Sequence, residues 1–449
     1  MAGWKTYFKK GNRNSNKKEV FYYNVEDYDL TYLVPKRILA IVSLRFMKED
    51  SKFKRLCWNT FYWFSFGNLL IAAAQQFINI VIMARNSTLG ESMDILRSLP
   101  CAAYAYLAMA KSFYYVAKQD LYKNLVTELR EMWPKGFVSK EEHDIINRAK
   151  KQLMFVTQAY YWCNISLMII FMVPPLYMAV KRLAGYEAPW MMPFFFWYPF
   201  DPFQPIIYEV ALCLQTWLGT TVVLSIVSGD TLFCIFLSHI TTQFDLLSLR
   251  IRKLFYVPID DQLKRTYPLG VYSLEYFNRN DKQTMKSYDD KEWEVIYQKE
   301  ILEIIQRHLA LIRLAGDVES LNGFQLLVNF FNSSILLCFC GFCCVIIEKV
   351  TEILYKIFLS AILLQTWLLC WYGHRLLESS IGVSHALYCS GWYTTSNRIR
   401  KVILIMLRRS QKAVCVTTYG FSVISLASYT MIIKTAWSYF TLLLNIYKK

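Results

Sequence analysis

The sequence predicts an all-α membrane protein: seven transmembrane helices, N-terminus cytoplasmic, C-terminus extracellular, with a helical cytoplasmic anchor domain. Three observations lead to that class. The apolar residues, 55% of the chain, gather in long blocks and not in short amphipathic stripes. Blocks of about 20 apolar residues cross the hydrocarbon core as helices, because lipid offers no hydrogen-bond partner to an open backbone. Basic residues cluster between the blocks, in alternate connections. Three stretches of mixed polar and apolar residues carry the helical period beyond the blocks.

The opening M-A-G-W-K-T-Y-F-K-K-G-N-R-N-S-N-K-K is polar and basic with no apolar core, so it does not read as a cleaved signal peptide. The first span then directs insertion. Spans are expected at 56–83, 93–117, 152–180, 206–238, 322–347, 353–374 and 415–446. Several exceed the bilayer thickness, which implies tilt or extension into the cytosol. Segments 1–55, 111–152, 250–300 and 371–412 hold most of the 50 Lys and Arg residues; 84–97, 181–205, 348–352 and 446–449 hold few. That asymmetry puts the first set in the cytoplasm. The sequon Asn86-Ser87-Thr88 falls in the first expected outside loop and agrees, making Asn86 a glycosylation candidate. A cytoplasmic N-terminus argues against a G-protein-coupled receptor, as does the lack of D-R-Y and N-P-x-x-Y motifs. A transporter would show inverted repeats and broken spans; no internal repeat is visible, and Pro174-Pro175 reads as the end of the third span.

After the fourth span, F-D-L-L-S-L-R-I-R-K-L continues with helical periodicity. Before the fifth, Ile301, Ile304, Ile305, Leu309 and Ile312 recur at helical spacing. Segment 394–412 gives a third, basic helix. Such mixed helices either lie on the inner leaflet or, in the favoured reading, pack on one another as an anchor from 239–321 together with 394–412. Within it, roughly 255–291 lacks periodicity and reads as a flexible loop.

The net charge of +16 would point a soluble protein toward nucleic acid; here the basic residues flank apolar blocks and suit anionic lipid headgroups instead. The partner expected is the lipid bilayer, with no nucleic acid. The 12 cysteines lie in or beside spans, with Cys338, Cys340, Cys343 and Cys344 in one apolar run, and read as small packing residues. Zinc spacing, a His cluster, a nucleophile–base pair and a phosphate loop are all missing, so neither cofactor, metal nor enzymatic activity is expected. Asp230 and His239, near the inner end of the fourth span, read as a proton relay or, in the favoured reading, as caps of the membrane-to-anchor transition. Glu348 and Lys356 flank the turn between the fifth and sixth spans, at headgroup level.

Four local patterns converge on a family. They are M-P-F-F-F-W-Y-P-F-D-P at 192–202, W-Y-G-H-R-L-L-E-S-S followed by Y-C-S-G-W-Y, K-V-I-L-I-M-L-R-R-S-Q at 401–411, and a final S-Y-F-T-L-L. Together they resemble the insect odorant receptors, from the first span to the last residue. Gustatory receptors of the same superfamily typically end with T-Y, an apolar run and Q-F. Ser438 and Asn445 stand here in place of that Thr and Gln, which favours the odorant branch. A gustatory-type channel and a metabotropic seven-helix receptor are the alternatives. The resemblance implies a subunit of a tetrameric, ligand-gated, non-selective cation channel that binds a small volatile odorant. It implies a tuning receptor that assembles with the shared olfactory co-receptor in the plasma membrane of a sensory dendrite. It further implies that the cytoplasmic ends of the fourth to sixth spans and the first part of the seventh join the subunits, while the outer part of the seventh lines the pore.

On the last helix, Thr435, Ser438, Leu442 and Asn445 share one face. An apolar ring narrow enough to shed water blocks ions until it widens. Leu442 falls where similar receptors carry their apolar gate, and Asn445 matches the polar residue just outside it. Lys434 lies at the edge of this stripe, turned either toward a neighbouring subunit or into an open aqueous region. In this family the ligand pocket lies among the second, third, fourth and sixth spans, in their outer half, so 56–238 forms the ligand-binding bundle. Candidates there are Ala103 and Tyr104, then Trp162, Ser166 and Ile169 on one face, Leu212 and Thr216 one turn apart, and Tyr355. Segments 1–55, 322–378 and 413–449 complete the division as N-terminal segment, fifth and sixth spans, and pore helix.

Overall fold

A helix that is apolar all round must be covered all round, and the run from Ile207 to Arg252 is of that kind. In the computed structural model it is the central post of a helical bundle. The structure describes residues 21–41, 52–86, 91–194, 196–204, 206–255, 290–346 and 351–447. In chain order these form β1 (Phe21–Tyr23), α1 (Val25–Thr31), α2 (Leu33–Ile41), α3 (Lys52–Asn86), α4 (Glu91–Ala117) and α5 (Gln119–Met132). There follow β2 (Gly136–Val138), α6 (Lys140–Leu183), α7 (Ile207–Arg252), α8 (Asp290–Ile346), α9 (Thr351–Cys389), a 3-10 turn (Trp392–Thr394), α10 (Asn397–Ser410) and α11 (Leu426–Tyr447). Helices α9, α6, α8, α4, α2 and α3 all pack on α7.

Among the described residues five helices are long and apolar enough to cross a membrane: those spanning Leu56–Arg85, Lys140–Leu183, Ile207–Arg252, Glu294–Val345 and Tyr355–Thr394. Helix α4 lies at the expected second span, and α11 covers the later part of the expected seventh. The expected extensions are real, because α6, α7, α8 and α9 all continue without a break past the ends of the apolar blocks. Helix α6 starts at a sharp signal: Ser139 and Glu142 form a reciprocal capping box. The loop expected near 255–291 lies, but for its ends, outside the described residues, as do Ser87, Thr88 and Glu348. All 12 cysteines are free.

Two expectations are corrected here. The apolar stripe of α8 is rotated: Ile301, Ile304, Leu311, Leu314 and Val318 are buried, whereas Leu309 is exposed, because His308 takes the inward position. The last helix begins at Leu426, not near Cys415. Residues 414–424 form a tight hairpin instead, with Thr418 N donating to Ser422 O at 2.8 Å and Ile424 N to Val416 O at 2.9 Å. Tyr419 and Gly420, both at positive φ, make its turn.

The described N-terminal residues, read from sequence only as an N-terminal segment without elements, close the Arg252 end of the post. Strand β1 pairs antiparallel with β2, Tyr22 opposite Phe137. Tyr32 stacks on His239, Tyr28 lies tilted against it and Trp133 meets it edge-on. Thr31 Oγ1 lies 3.0 Å from His239 Nε2. His239 is therefore a buried packing residue, not a cap of the membrane-to-anchor transition. Ion pairs tie the extensions together: Arg250 to Glu300 (2.6 Å) and Glu303 (2.8 Å), Lys253 to Glu141 (2.6 Å), and Lys150 to Asp27 (2.9 Å).

His308 gives this end a pH dependence. Burial first, and then the Arg409 guanidinium, lower its pKa from 6.5 to about 4. The unfolded chain binds the proton more readily than the fold, so stability is complete above pH 6.5 and declines as pH falls toward 4. Thermal melts of purified protein should show that decline, and His308→Gln should flatten it. An unchanged slope in the variant would show that other groups carry the acid response.

Candidate functional site

At the end of the bundle covered by Phe194 and Phe196, side chains of five helices leave a partly open space of ≈ 60 Å³. Its walls are Gln76 from α3; Cys101, Tyr104 and Ala105 from α4; Leu167, Met168, Phe171 and Met172 from α6; Leu218, Gly219, Val222 and Val223 from α7; and Phe358 from α9. Phe194 and Phe196 of the aromatic connection form the lid. Gln215, buried, holds that lid: its Oε1 accepts from Phe194 N at 3.1 Å and its Nε2 donates to Tyr198 OH at 3.0 Å. Arg182 stacks 3.3 Å from the Trp190 ring and donates to Ala188 O at 2.7 Å, fixing the start of the same connection. Gly219 makes part of the space, since a Cβ there would collide with the tip of Met172 and lie 3.2 Å from the Phe194 ring.

The lining is almost wholly apolar, and its main polar contact leads inward. Tyr104 OH donates to Gln365 Oε1 at 3.3 Å. Gln365 Nε2 donates to Asp230 Oδ2 at 2.8 Å and lies 3.3 Å from Asn329 Oδ1. Asp230 also accepts from Tyr160 OH at 2.8 Å and forms a buried ion pair with Lys111. Asp230 thus sits inside the bundle at the centre of a network joining α4, α6, α7, α8 and α9, which corrects its reading as a cap. An intramembrane charge is costly unless paired, and here both partners are fully enclosed.

Of the sequence-selected pocket residues, the structure brings one into the cavity wall. Tyr104 lines the cavity. Ala103, beside it, is half-buried and its carbonyl accepts from Asn332 Nδ2 at 3.2 Å. Trp162, Ser166 and Ile169 do share a face, but that face points outward: Trp162 is 58% exposed, and Ser166 Oγ turns back to Trp162 O at 2.8 Å. The inward face of α6 is Tyr160, Asn164, Leu167 and Met172. Leu212 is buried one layer away with Tyr208 and Ala179, and Thr216 donates to its carbonyl at 2.8 Å. Tyr355 is half-buried at the start of α9, outside the cavity wall. Asn86 ends α3. The sequence reading missed Phe194, Phe196 and Gly219; the aromatic run at 192–202 was the available signal.

The last helix is asymmetric. Ile432 and Ala436 are buried, and the Phe440 ring lies over Gly341 of α8. Thr435, Ser438, Leu442 and Asn445 are exposed on the other side, and so is Lys434. Thr435 Oγ1 satisfies itself on Met431 O at 2.9 Å.

A lidded, largely apolar cavity among helices, most of them long and apolar enough to cross a membrane, has the character of a small-molecule site. The chain belongs to the family described as 7tm Odorant receptor, which matches residues 92–437. It is an insect odorant receptor, a membrane protein of a receptor family and not of an enzyme family. It is similar to Odorant receptor 85b of Drosophila melanogaster, 22% identical over 408 residues that cover 89% of this chain and 94% of the relative. Odorant receptor 13a of the same species is 28% identical over 265 residues, 56% of each chain. Its fold is similar to that of the insect olfactory receptor OR5 from Machilis hrabei, solved alone and in complex with eugenol. Both superpose with a TM-score of 0.71, covering 94% of this chain and 100% of that one, at 17% and 15% identity respectively.

Proposed function

We propose that the chain is a tuning subunit of an odorant-gated, non-selective cation channel, assembled with the olfactory co-receptor in the plasma membrane of a sensory dendrite. The observation that supports it most is the two-sidedness of α11. One face docks on α8 through Ile432, Ala436 and Phe440; the opposite face presents Thr435, Ser438, Leu442 and Asn445 with nothing packed on it. Around a shared axis, Leu442 supplies the apolar ring that dewets and Asn445 a carboxamide ring that substitutes for part of an ion's hydration. Lys434, off the centre of that face, then turns toward a neighbouring subunit.

The ligand is a small, largely apolar volatile with at most one hydrogen-bonding group, taken into the Tyr104–Phe171–Phe358 cavity under the Phe194–Phe196 lid. The similar receptor solved with eugenol supports a ligand of that size. Binding shifts the gate only by the difference in affinity between closed and open arrangements. Met168 and Met172, flexible side chains in the wall, let the cavity enlarge around a guest.

The test is whole-cell and excised-patch recording from cells expressing this chain with the co-receptor. Leu442→Ala and Asn445→Ala are expected to alter basal current and permeability ratios, and Gly219→Ala to raise the half-maximal odorant concentration roughly tenfold by overfilling the cavity. Unaltered conduction in both α11 variants removes the pore assignment. Currents that depend on G-protein signalling would support a metabotropic receptor instead.

A further inference from the structure

A second crevice lies at the opposite end of the bundle, between α6, α7 and α9. Its space is ≈ 80 Å³, where a single water needs about 15 Å³ on the same measure. Its polar lining is unusual for what it leaves unused. Thr241 is 6% exposed and Tyr372 3% exposed, yet neither Thr241 Oγ1 nor Tyr372 OH has a hydrogen-bond partner. A buried hydroxyl left without a partner is uncommon and expensive. Arg148 and Arg375 stand in the same lining. Arg375 reaches Asp245 and Glu378 only at 3.9 Å. Neither guanidinium donates a hydrogen bond among the described residues, so two planar donor forks, that of Arg148 exposed, and two hydroxyls line one open space.

We propose that this crevice binds a phosphomonoester, presented by the headgroup of an anionic membrane lipid. A guanidinium fork matches phosphate oxygens bidentately. A monoester has three free oxygens and about two charges, enough to engage both arginines and a hydroxyl together; a diester offers two oxygens and one charge. The depth favours a lipid over a soluble anion. The crevice sits where the third, fourth and sixth expected spans end, near residues 152, 238 and 374, on the side that the basic residues assign to the cytoplasm. Asp245 is the opposing charge in the lining. Arg375 lies 3.9 Å from it, which offsets part of its repulsion of an anion.

The site ties α9 to α6 and α7, three helices that also wall the odorant cavity at the other end. The inference rests on the membrane placement of the chain and not on the cavity or the pore, so its test needs no odorant and no current. Full-length protein is reconstituted in nanodiscs of phosphatidylcholine alone, with added phosphatidylinositol 4-phosphate, or with phosphatidylserine at matched charge. Native mass spectrometry reads lipid retention, and a melt reads folding. Preferential retention of the phosphomonoester lipid is expected, weakened roughly tenfold by Arg148→Gln or Arg375→Gln and less by Tyr372→Phe. Equal retention of phosphatidylserine, or no change in the variants, overturns the proposal. Stabilisation by inorganic phosphate in phosphatidylcholine, lost in the same variants, with no lipid retained, overturns the lipid as source. Each variant should melt with the parent in phosphatidylcholine, which separates lost binding from lost fold.

Discussion

Asp230→Leu will lower the yield of folded receptor more than any substitution in the cavity wall. The carboxylate holds Lys111, Tyr160 and Gln365 at once, and Lys111 is 5% exposed. Removing it strands an ammonium and two polar groups inside the bundle. Breaking one side of a buried ion pair costs about 3–5 kcal/mol, mostly because the survivor stays desolvated. Lys111→Met should do comparable harm by stranding the carboxylate. The double variant Lys111→Met with Asp230→Leu removes both charges and should recover a large part of the loss. Detergent-solubilised melts and surface labelling measure all three. A double variant worse than either single one would mean that the network is held by shape and not by charge. The experiment also bears on sensing, because Tyr104 belongs both to the cavity wall and, through Gln365, to this network.

Gly373→Ala will detach the hairpin that launches the last helix. A Cβ at Gly373 would lie 2.5 Å from Ile424 O and 2.7 Å from Ile424 Cγ2. The nearest atom is backbone, so no rotamer change relieves the clash. Ile424 is buried, and the hairpin is also held by Val414 N donating to Ser380 Oγ at 2.9 Å. Overpacking costs typically 1–3 kcal/mol, and a rigid backbone partner puts this site at about 3. Gly382→Ala on the same helix is the control: its Cβ meets only Ser248 Oγ at 4.0 Å. There the gain in helix propensity, about 1 kcal/mol, should leave the melt unchanged or raised. Equal melts for the two variants would show that the hairpin does not depend on close approach to α9.

Much of this architecture is legible without coordinates. Lipid forces its spans to be helices and makes them long and apolar, so block lengths alone locate them. Amphipathic segments outside the membrane obey the ordinary period, and 397–410 is a helix with Ile399, Ile403 and Met406 buried, as that period requires. Inside the bilayer the rule fails, because a lipid-facing position and a core position are equally apolar. Trp162 and Ile169 look as suitable for a pocket as Leu167 and Phe171 do, yet only the second pair faces inward. The usable signal there is polarity: Thr157 and Asn164 are buried and mark the inner face of α6. The same signal on α7, Gln215 and Asp230, marks the lid anchor and the buried network.

The sequence by itself determined that this chain is a helical membrane receptor of the odorant family, roughly where its long apolar helices run, and that its last helix carries a hydroxyl, leucine and asparagine stripe. The helices and the stripe depend on composition and spacing along one segment, which the solvent and the helix period dictate locally; the family rests on the resemblance of its motifs. Only the tertiary structure decided which faces meet. It put Phe194 and Phe196 over the cavity, Lys111 against Asp230, Ile424 against Gly373, and four unspent donors around one crevice. Contacts of that kind join residues far apart in the chain, and no local periodicity encodes their partner.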